Sequence, residues 1–509
     1  MNSDLVIVYH RQPFEEVVVD GVTEFRENKS PNGIVPTLKS FFQTVERGSW
    51  IAWKHVDEDG QDPEHPHVTM NDRHGEYAVS RIGLTPEQVS SFYHVTSKAS
   101  LWPVLHSFAL NFDAQAADWD TFREVNRRFA EAACAEASDD ALIWVHDYNL
   151  WLVPSFIRQV KPDAKVAFFH HTPFPSADIF GLLPWRDEIV DSLLACDIVG
   201  FHIPRYAENF VSVARSLRGA EIAEKVAVEP GLSPHGMALS EPEVTTKLRY
   251  WDREIRLDSF PIGTNPKLIR KVLNERAAGE QGAQIAAELG DQKLIVSVGR
   301  VDYTKGTIET LLAYERLLER RPDLHGKIKL MVTSVAAATG MSVYEETRGD
   351  IEQQVGRIHG RFATLDWGPI MLFTTPVPFE DLLSYYRAAD MCWITPLRDG
   401  LNLVAKEYVA SRDEGDPGVL VLSEFTGCSV ELPDAVIANP YSHDSLDAAI
   451  DHALDMSEAE RAERMTKLAA SVDHFDIQHW ADHILTQFDE VRGRSTPRPD
   501  HTPLEDVAS

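Results

Sequence analysis

Leu294-Ile295-Val296-Ser297-Val298-Gly299-Arg300-Val301-Asp302-Tyr303-Thr304-Lys305-Gly306 reads as a short apolar run that ends in glycine and opens into a loop carrying two cations five positions apart. An apolar run of this length, punctuated by glycine, is the pattern of a strand buried on both faces of a parallel sheet. In such sheets ligands collect at the carboxyl ends of the strands, so the loop matters more than the strand. Gly299 and Gly306 let a ligand approach the backbone closely, Arg300 offers a planar fork, and Lys305 offers a point charge, a set suited to a diphosphate. Taken alone, the same residues also fit two solvated surface cations.

A second stretch repeats the logic. Thr395-Pro396-Leu397-Arg398-Asp399-Gly400-Leu401-Asn402-Leu403-Val404-Ala405-Lys406-Glu407 follows the apolar run Met391–Ile394. Gly400 is expected to open a helix whose unpaired amides receive phosphate oxygens. Glu407 then falls about two turns into that helix, where a carboxylate can accept both hydroxyls of a ribose; the alternative is a surface glutamate.

Outward from these two, further apolar runs predict strands at Leu5–Tyr9, Ala141–Val145, Val166–Phe169, Ile198–Phe201 and Ile328–Val332, each followed by a helical pattern. Alternating strands and helices over 509 residues predict an α/β protein of two doubly wound, Rossmann-like domains. Pro261 and Gly263 interrupt the pattern, which places the first domain at 1–262 and the second at 263–475. A closing helix at 476–491, with Trp480, Ile484, Leu485 and Phe488 at helical spacing, is expected to pack back across the domains. The tail 492–509 is rich in Pro, Ser, Thr and Asp and reads as disordered, and the acidic insert from Asp57 to His67 reads as a loop.

The first half offers its own polar groups after apolar strands: His146-Asp147-Tyr148-Asn149 and His170-His171-Thr172-Pro173-Phe174-Pro175. Neighbouring histidines on a strand point to opposite faces, and no H-E-x-x-H pattern accompanies them, so a metal site is not expected. His171 and Asp147 suit hydrogen bonds to sugar hydroxyls, while His170 equally suits a satisfied core histidine.

Composition narrows the partners. With 79 acidic against 49 basic side chains the formal charge is −30, which disfavours nucleic acid and anionic membrane surfaces. Cys134, Cys196, Cys392 and Cys428 form no C-x-x-C pair, and no apolar run approaches the roughly 18 residues needed to span a bilayer. A soluble cytoplasmic protein is the expectation.

Together, Arg300 with Lys305, the run from Asp399 to Glu407, His146-Asp147-Tyr148 and His171-Thr172-Pro173-Phe174-Pro175 resemble the trehalose-6-phosphate synthase family of retaining GT-B glycosyltransferases, over roughly residues 4 to 490. The resemblance implies a GT-B fold, two Rossmann-like domains facing a central cleft. It implies a donor site of Gly33, Arg300, Lys305, Asp399, Gly400, Leu401, Asn402, Leu403, Val404 and Glu407. It also implies an acceptor site of Arg11, Tyr93, Trp102 and Asp147, with catalytic parts for Arg300, Lys305, His171 and Asp147. No metal and no cofactor is implied, the nucleotide sugar being a co-substrate.

Within the family the likeness is greatest to the glucosylglycerol-phosphate synthase branch, through Val8-Tyr9-His10-Arg11, Ser30-Pro31-Asn32-Gly33-Ile34, His170-His171-Thr172-Pro173 and Thr333-Ser334-Val335-Ala336-Ala337. That branch implies ADP-glucose as donor, sn-glycerol 3-phosphate as acceptor, 2-O-(α-D-glucosyl)glycerol 3-phosphate as product on the way to an osmolyte, and a separate downstream phosphatase. It leaves a homo-oligomer open. Two departures from the trehalose enzymes stand out. Val335 occupies the place of an arginine that grips the phosphate of glucose 6-phosphate, a loss of about 1.5–3 kcal/mol for a charge-assisted contact. Asn32-Gly33 replaces a Gly-Gly pair in the loop near the donor. The competing readings are a trehalose-6-phosphate synthase, a pseudo-glycosyltransferase acting on cyclitols, and a catalytically silent nucleotide-binding homologue.

Overall fold

The computed structural model describes residues 3–27, 34–57, 65–276, 280–336, 341–412 and 417–493. The chain forms two compact units, one drawn from Met1–Val228, Glu241–Pro261 and Trp480–Ser509, the other from Glu229–Ser240 and Ile262–His479. The division between Pro261 and Ile262 falls at the Pro/Gly interruption, with two exchanges: residues 229–240 go with the second unit, and the last helix returns to the first from Trp480 onward.

The second unit holds a six-stranded parallel sheet in the order Ile370–Phe373, Ile328–Ala336, Lys293–Val301, Met391–Ile394, Val419–Ser423, Val436–Ala438. In chain order within this unit that is 3-2-1-4-5-6, the Rossmann arrangement, and the order reverses between Lys293–Val301 and Met391–Ile394. The loops leaving these two strands are the two stretches that decided the sequence reading. Leu330, Trp393, Val421 and Ile295 are fully buried, packed against Leu311, Tyr314 and Leu317 of the helix Thr307–Arg320.

The first unit carries a ten-stranded sheet. Its parallel part runs Gly75–Leu84, Gly48–His55, Ser3–Val8, Ala137–His146, Lys165–His170, Ile198–Phe201, Arg253–Ser259. Here too the order reverses beside the first strand, between Ser3–Val8 and Ala137–His146, where Val8 and Val145 lie side by side. The loops at this switch point carry Arg11 and Asp147.

Several elements were not anticipated. Antiparallel strands Glu221–Ala227 and Glu243–Tyr250 extend one end of the first sheet, and His67–Asp72 closes the other where loop was expected up to His67. Residues 58–64 of that insert lie outside the described residues, as do Ser30–Gly33, Ala337 and the tail beyond Gly493. A hairpin pairs Phe14–Val19 with Val22–Glu27 through Asp20-Gly21, both at positive φ as a tight two-residue turn requires.

The closing helix spans Ile477–Arg492. Its Trp480 is fully buried in the first unit, stacked 5.9 Å from Trp144 and edge-on to Phe41 and Phe169, while Phe488 meets Trp144 at 4.9 Å. Burying each such side chain is worth about 1.5–3 kcal/mol, which explains why this helix belongs with the first unit. Among the described residues no helix is long and apolar enough to cross a membrane, and the four cysteines are free and buried.

Candidate active site

In the second unit the strand Lys293–Val301 ends with Gly299 held by Thr333, whose Oγ1 accepts from the Gly299 amide at 2.9 Å and donates to its carbonyl at 3.0 Å. Arg300 follows, exposed, its side chain forming no hydrogen bond or ion pair among the described residues. Asp302 turns inward and accepts from the Thr304 amide at 3.0 Å and the Thr304 hydroxyl at 2.8 Å, which folds Tyr303–Lys305 into one tight turn. Gly306 then adopts φ 66°, and any Cβ there would collide with the Thr395 carbonyl, so only glycine fits.

The neighbouring loop is tied to this turn by the Leu397 amide, which donates to the Thr304 carbonyl at 2.8 Å. Lys305 consequently reaches Asp399, Nζ to Oδ2 at 2.7 Å, and Asn402 Nδ2 donates to the same oxygen at 3.0 Å. Three residues expected at the donor site thus form one polar cluster in which Lys305 is already ion-paired. Arg398, which sequence reasoning quoted but gave no role, stands beside it with Nε buried and unpaired.

The helix does not start at Gly400. It spans Leu403–Ala410, and Asn402, at φ 80°, caps it by accepting from the Ala405 amide at 3.1 Å. Gly400 and Leu401 are instead pinned below the helix start: the Gly427 amide donates to the Asp399 carbonyl and the Cys428 amide to the Leu401 carbonyl. An asparagine cap is the stronger helix-start signal, and it overrides the glycine. Leu403 and Val404 form the half-buried first turn. Glu407 is buried, not a surface residue, and its charge adds to desolvation in pushing up the buried Tyr386 phenol and Cys392 thiol, so that both resist ionisation. Gly33 lies outside the described residues.

In the first unit Asp147 ends the strand Ala137–His146 at φ 69°, ψ 163°, a conformation costly for any residue but glycine. Its Oδ1 accepts from the amides of Tyr148 at 3.0 Å and His171 at 3.3 Å and from the Thr172 hydroxyl at 3.4 Å. Burial nevertheless pushes its carboxyl up to about 6, against these hydrogen bonds and the nearby charge of Lys98. His171 shares a 3.1 Å hydrogen bond, through Nε2, with Nδ1 of His146. Desolvation keeps both rings neutral; beyond it, His171 further lowers the proton affinity of His146, while His202, His170 and His10 lower that of His171. His170 faces the other way, hydrogen-bonded to the Thr172 carbonyl at 2.9 Å and packed on Trp151 and Phe174, a core histidine that burial holds at about 4.

Arg11 sits among the phenols of Tyr9, Tyr93 and Tyr148, which outweigh the desolvation of its guanidinium, and its carbonyl accepts from Trp50 Nε1 at 2.8 Å. Trp102 lies 6.0 Å from Tyr148, and Tyr93 lies 5.7 Å from His10. Arg11, Tyr93, Trp102 and Asp147 are therefore gathered at one switch point, together with Lys98 and His10, which sequence reasoning passed over. Among the described residues no group of three or more His, Cys, Asp or Glu is arranged to hold a metal ion.

The ionised Asp147 costs stability at neutral pH. A carboxyl whose folded value lies above the unfolded one contributes stability only while protonated, fully below about 3.8 and lost as pH rises through about 6. Asp147→Asn should raise thermal stability at pH 8 by about 2–3 kcal/mol, with a smaller gain at pH 5, while cutting activity. Melting curves at the two pH values test this; a gain independent of pH would sink the assignment of the titrating group.

The model of glycosyltransferase family 20 matches residues 3–490. The chain is 56% identical over 487 residues to the glucosylglycerol-phosphate synthase of a Synechocystis strain, covering 96% of this chain and 97% of that protein. It is 52% identical to the glucosylglycerol-phosphate synthase of a Picosynechococcus strain, covering 99% and 100%. A solved trehalose-6-phosphate synthase, studied with bisubstrate glycomimetics of enzymatic glycosyl transfer with retention, superposes with a TM-score of 0.82 at 31% identity, covering 97% of this chain and 100% of that one.

Proposed function

The chain belongs to glycosyltransferase family 20, a retaining GT-B glycosyltransferase, and on that premise we propose that it transfers glucose from ADP-glucose to sn-glycerol 3-phosphate, giving 2-O-(α-D-glucosyl)glycerol 3-phosphate and ADP. The observation that carries this reading is the likeness, over nearly the whole chain, to two proteins named for that product. Val335 supports it independently: the strand position beside Arg300 that would hold a phosphate-gripping arginine for glucose 6-phosphate carries no charge.

On this reading Arg300, Lys305 and the capped helix start at Asn402 hold the diphosphate. Their charge and dipoles meet the negative charge that grows on the leaving phosphate oxygen, where preorganised donors have their largest effect. Lys305 is positioned for this by Asp399, which also offers its carboxylate to hydroxyls of the donor sugar. His171, neutral and oriented by His146, steadies the glucose, and Asp147 accepts from an acceptor hydroxyl. The acceptor oxygen bonds to C1 as the C1–O bond to ADP breaks, on the same face, and its proton passes to the leaving phosphate. The product keeps its phosphate, so a phosphatase activity must follow to release the neutral osmolyte, and the free buried cysteines support a cytoplasmic setting.

The test is a matrix of ADP-, UDP- and GDP-glucose against glycerol 3-phosphate and glucose 6-phosphate, with released nucleotide as the readout. Turnover is expected with ADP-glucose and glycerol 3-phosphate; turnover confined to glucose 6-phosphate would overturn the reading.

A further inference from the structure

Lys98 is a basic side chain of the first-unit cluster to which no role has yet been given. It lies in Ser90–Leu101, a twelve-residue π-helix whose hydrogen bonds join residues five apart, as from the Trp102 amide to the Ser97 carbonyl. Wide turns of this kind are rare and concentrate at functional sites, because they place side chains where a 3.6-residue turn does not. Here the spacing brings Lys98 alongside Tyr93, five residues earlier, and over Trp102, four residues later. Its Nζ stands 3.8 Å from the Trp102 ring centre and 5.9 Å from that of Tyr93.

Tyr93 also borders the guanidinium of Arg11, so two cations converge on one aromatic patch. His10, 5.7 Å from Tyr93, is fully buried beside both charges and is held neutral first by desolvation and then by Arg11 and Lys98. The carboxylate of Asp147, at the neighbouring strand end, also feels Lys98. Two cations gathered in this way repel each other, and an anionic ligand between them offsets the repulsion. A compact phosphate monoester suits the pair: the fork of Arg11 matches two of its oxygens, and the ammonium of Lys98 donates to a third.

We propose that Lys98 joins Arg11 in binding the phosphate of the acceptor, adding a second cation from the π-helix. This rests on the reading above, that the acceptor is a short phosphate ester. The walls of the subsite are Tyr93 and Trp102.

The test uses the full-length protein with Lys98→Met, which keeps the apolar stem on Trp102 and removes the charge, and Lys98→Arg, which restores a charge. Steady-state kinetics are read with varied glycerol 3-phosphate at saturating donor. KM for the acceptor is expected to rise about tenfold to a hundredfold in Lys98→Met, with kcat changed much less, and Lys98→Arg is expected to recover most of the loss. A rise in melting temperature with ADP checks that the variant is folded; if Lys98→Met fails that check, Lys98→Gln takes its place. An unchanged acceptor KM in a folded variant overturns the proposal, as does a loss carried entirely by kcat. Should the parent protein use glucose 6-phosphate instead, the substrate reading fails by itself, and the same KM split, measured with that ester, still decides the role of Lys98.

Discussion

Arg300→Ala is expected to lower turnover several hundredfold while leaving the fold and its thermal stability almost untouched. The two halves of that expectation have separate causes. Arg300 is exposed at the end of its strand and its side chain has no partner among the described residues, so its removal strands no buried group and opens no cavity. Substitutions of this kind usually stay within about 0.5 kcal/mol. Turnover is another matter, because the guanidinium meets more charge on the phosphate in the transition state than in the bound donor. Losing one such preorganised donor typically costs about 3–4 kcal/mol, or a hundredfold to a thousandfold in kcat. Lys305→Ala should behave differently: it removes a cation but also breaks the ion pair with Asp399, leaving Asn402 to hold the same oxygen, so part of its loss will appear as disorder in the Asp399–Asn402 loop. The measurement is kcat beside a melting curve for each variant. Near-normal turnover in Arg300→Ala would remove it from the transition-state machinery, and a fall in melting temperature matching the fall in activity would make it a structural residue.

How the sequence exposed some of this and hid the rest follows from the range of the interactions. The strands around Val298 and Ile394 were readable because apolar runs closed by Gly or Pro are local patterns, and a switch point then follows from strand order. The hairpin through Asp20-Gly21 carried an equally local signal, an Asp-Gly pair between alternating residues, and went unread. The helix start was misplaced by three residues because Gly400 drew attention from Asn402, whose capping side chain and φ of 80° fix the first turn. The Lys305–Asp399 pair joins residues 94 positions apart, which no window of periodicity sees. Lys98 was invisible for another reason: a π-helix has no apolar repeat at 3.6 residues, so the face that unites it with Tyr93 and Trp102 has no counterpart in an ordinary helical reading. The backbone strain and raised carboxyl of Asp147 likewise arise from burial, which only the folded chain reveals.

The largest loss of stability is expected at a pair outside the chemistry. Lys406 and Glu431 are 1% and 2% exposed, joined Nζ to Oε2 at 2.6 Å, and Lys406 also donates to the Ile262 carbonyl at 2.8 Å. Lys406 sits on the helix Leu403–Ala410, one residue before Glu407, so the pair anchors the helix whose start is assigned to the donor. Lys406→Met should cost about 3–5 kcal/mol, since it leaves a buried carboxylate without its partner. Burial already raises the Glu431 carboxyl above its usual range, and losing the ammonium raises it further. A carboxyl raised in the folded state favours folding only while protonated, so the variant's deficit should be smaller at pH 5 than at pH 8. Adding Glu431→Leu should return most of the stability, because replacing both buried charges by apolar groups is often neutral or favourable. If the double variant is as unstable as the single one, the lost Ile262 contact, not the stranded charge, carries the cost. The affinity of the double variant for ADP then separates the two functions of the pair. Recovered stability with weakened ADP binding would mean that the ion pair sets the position of the helix start, and recovery of both would make it a packing element that apolar side chains can replace.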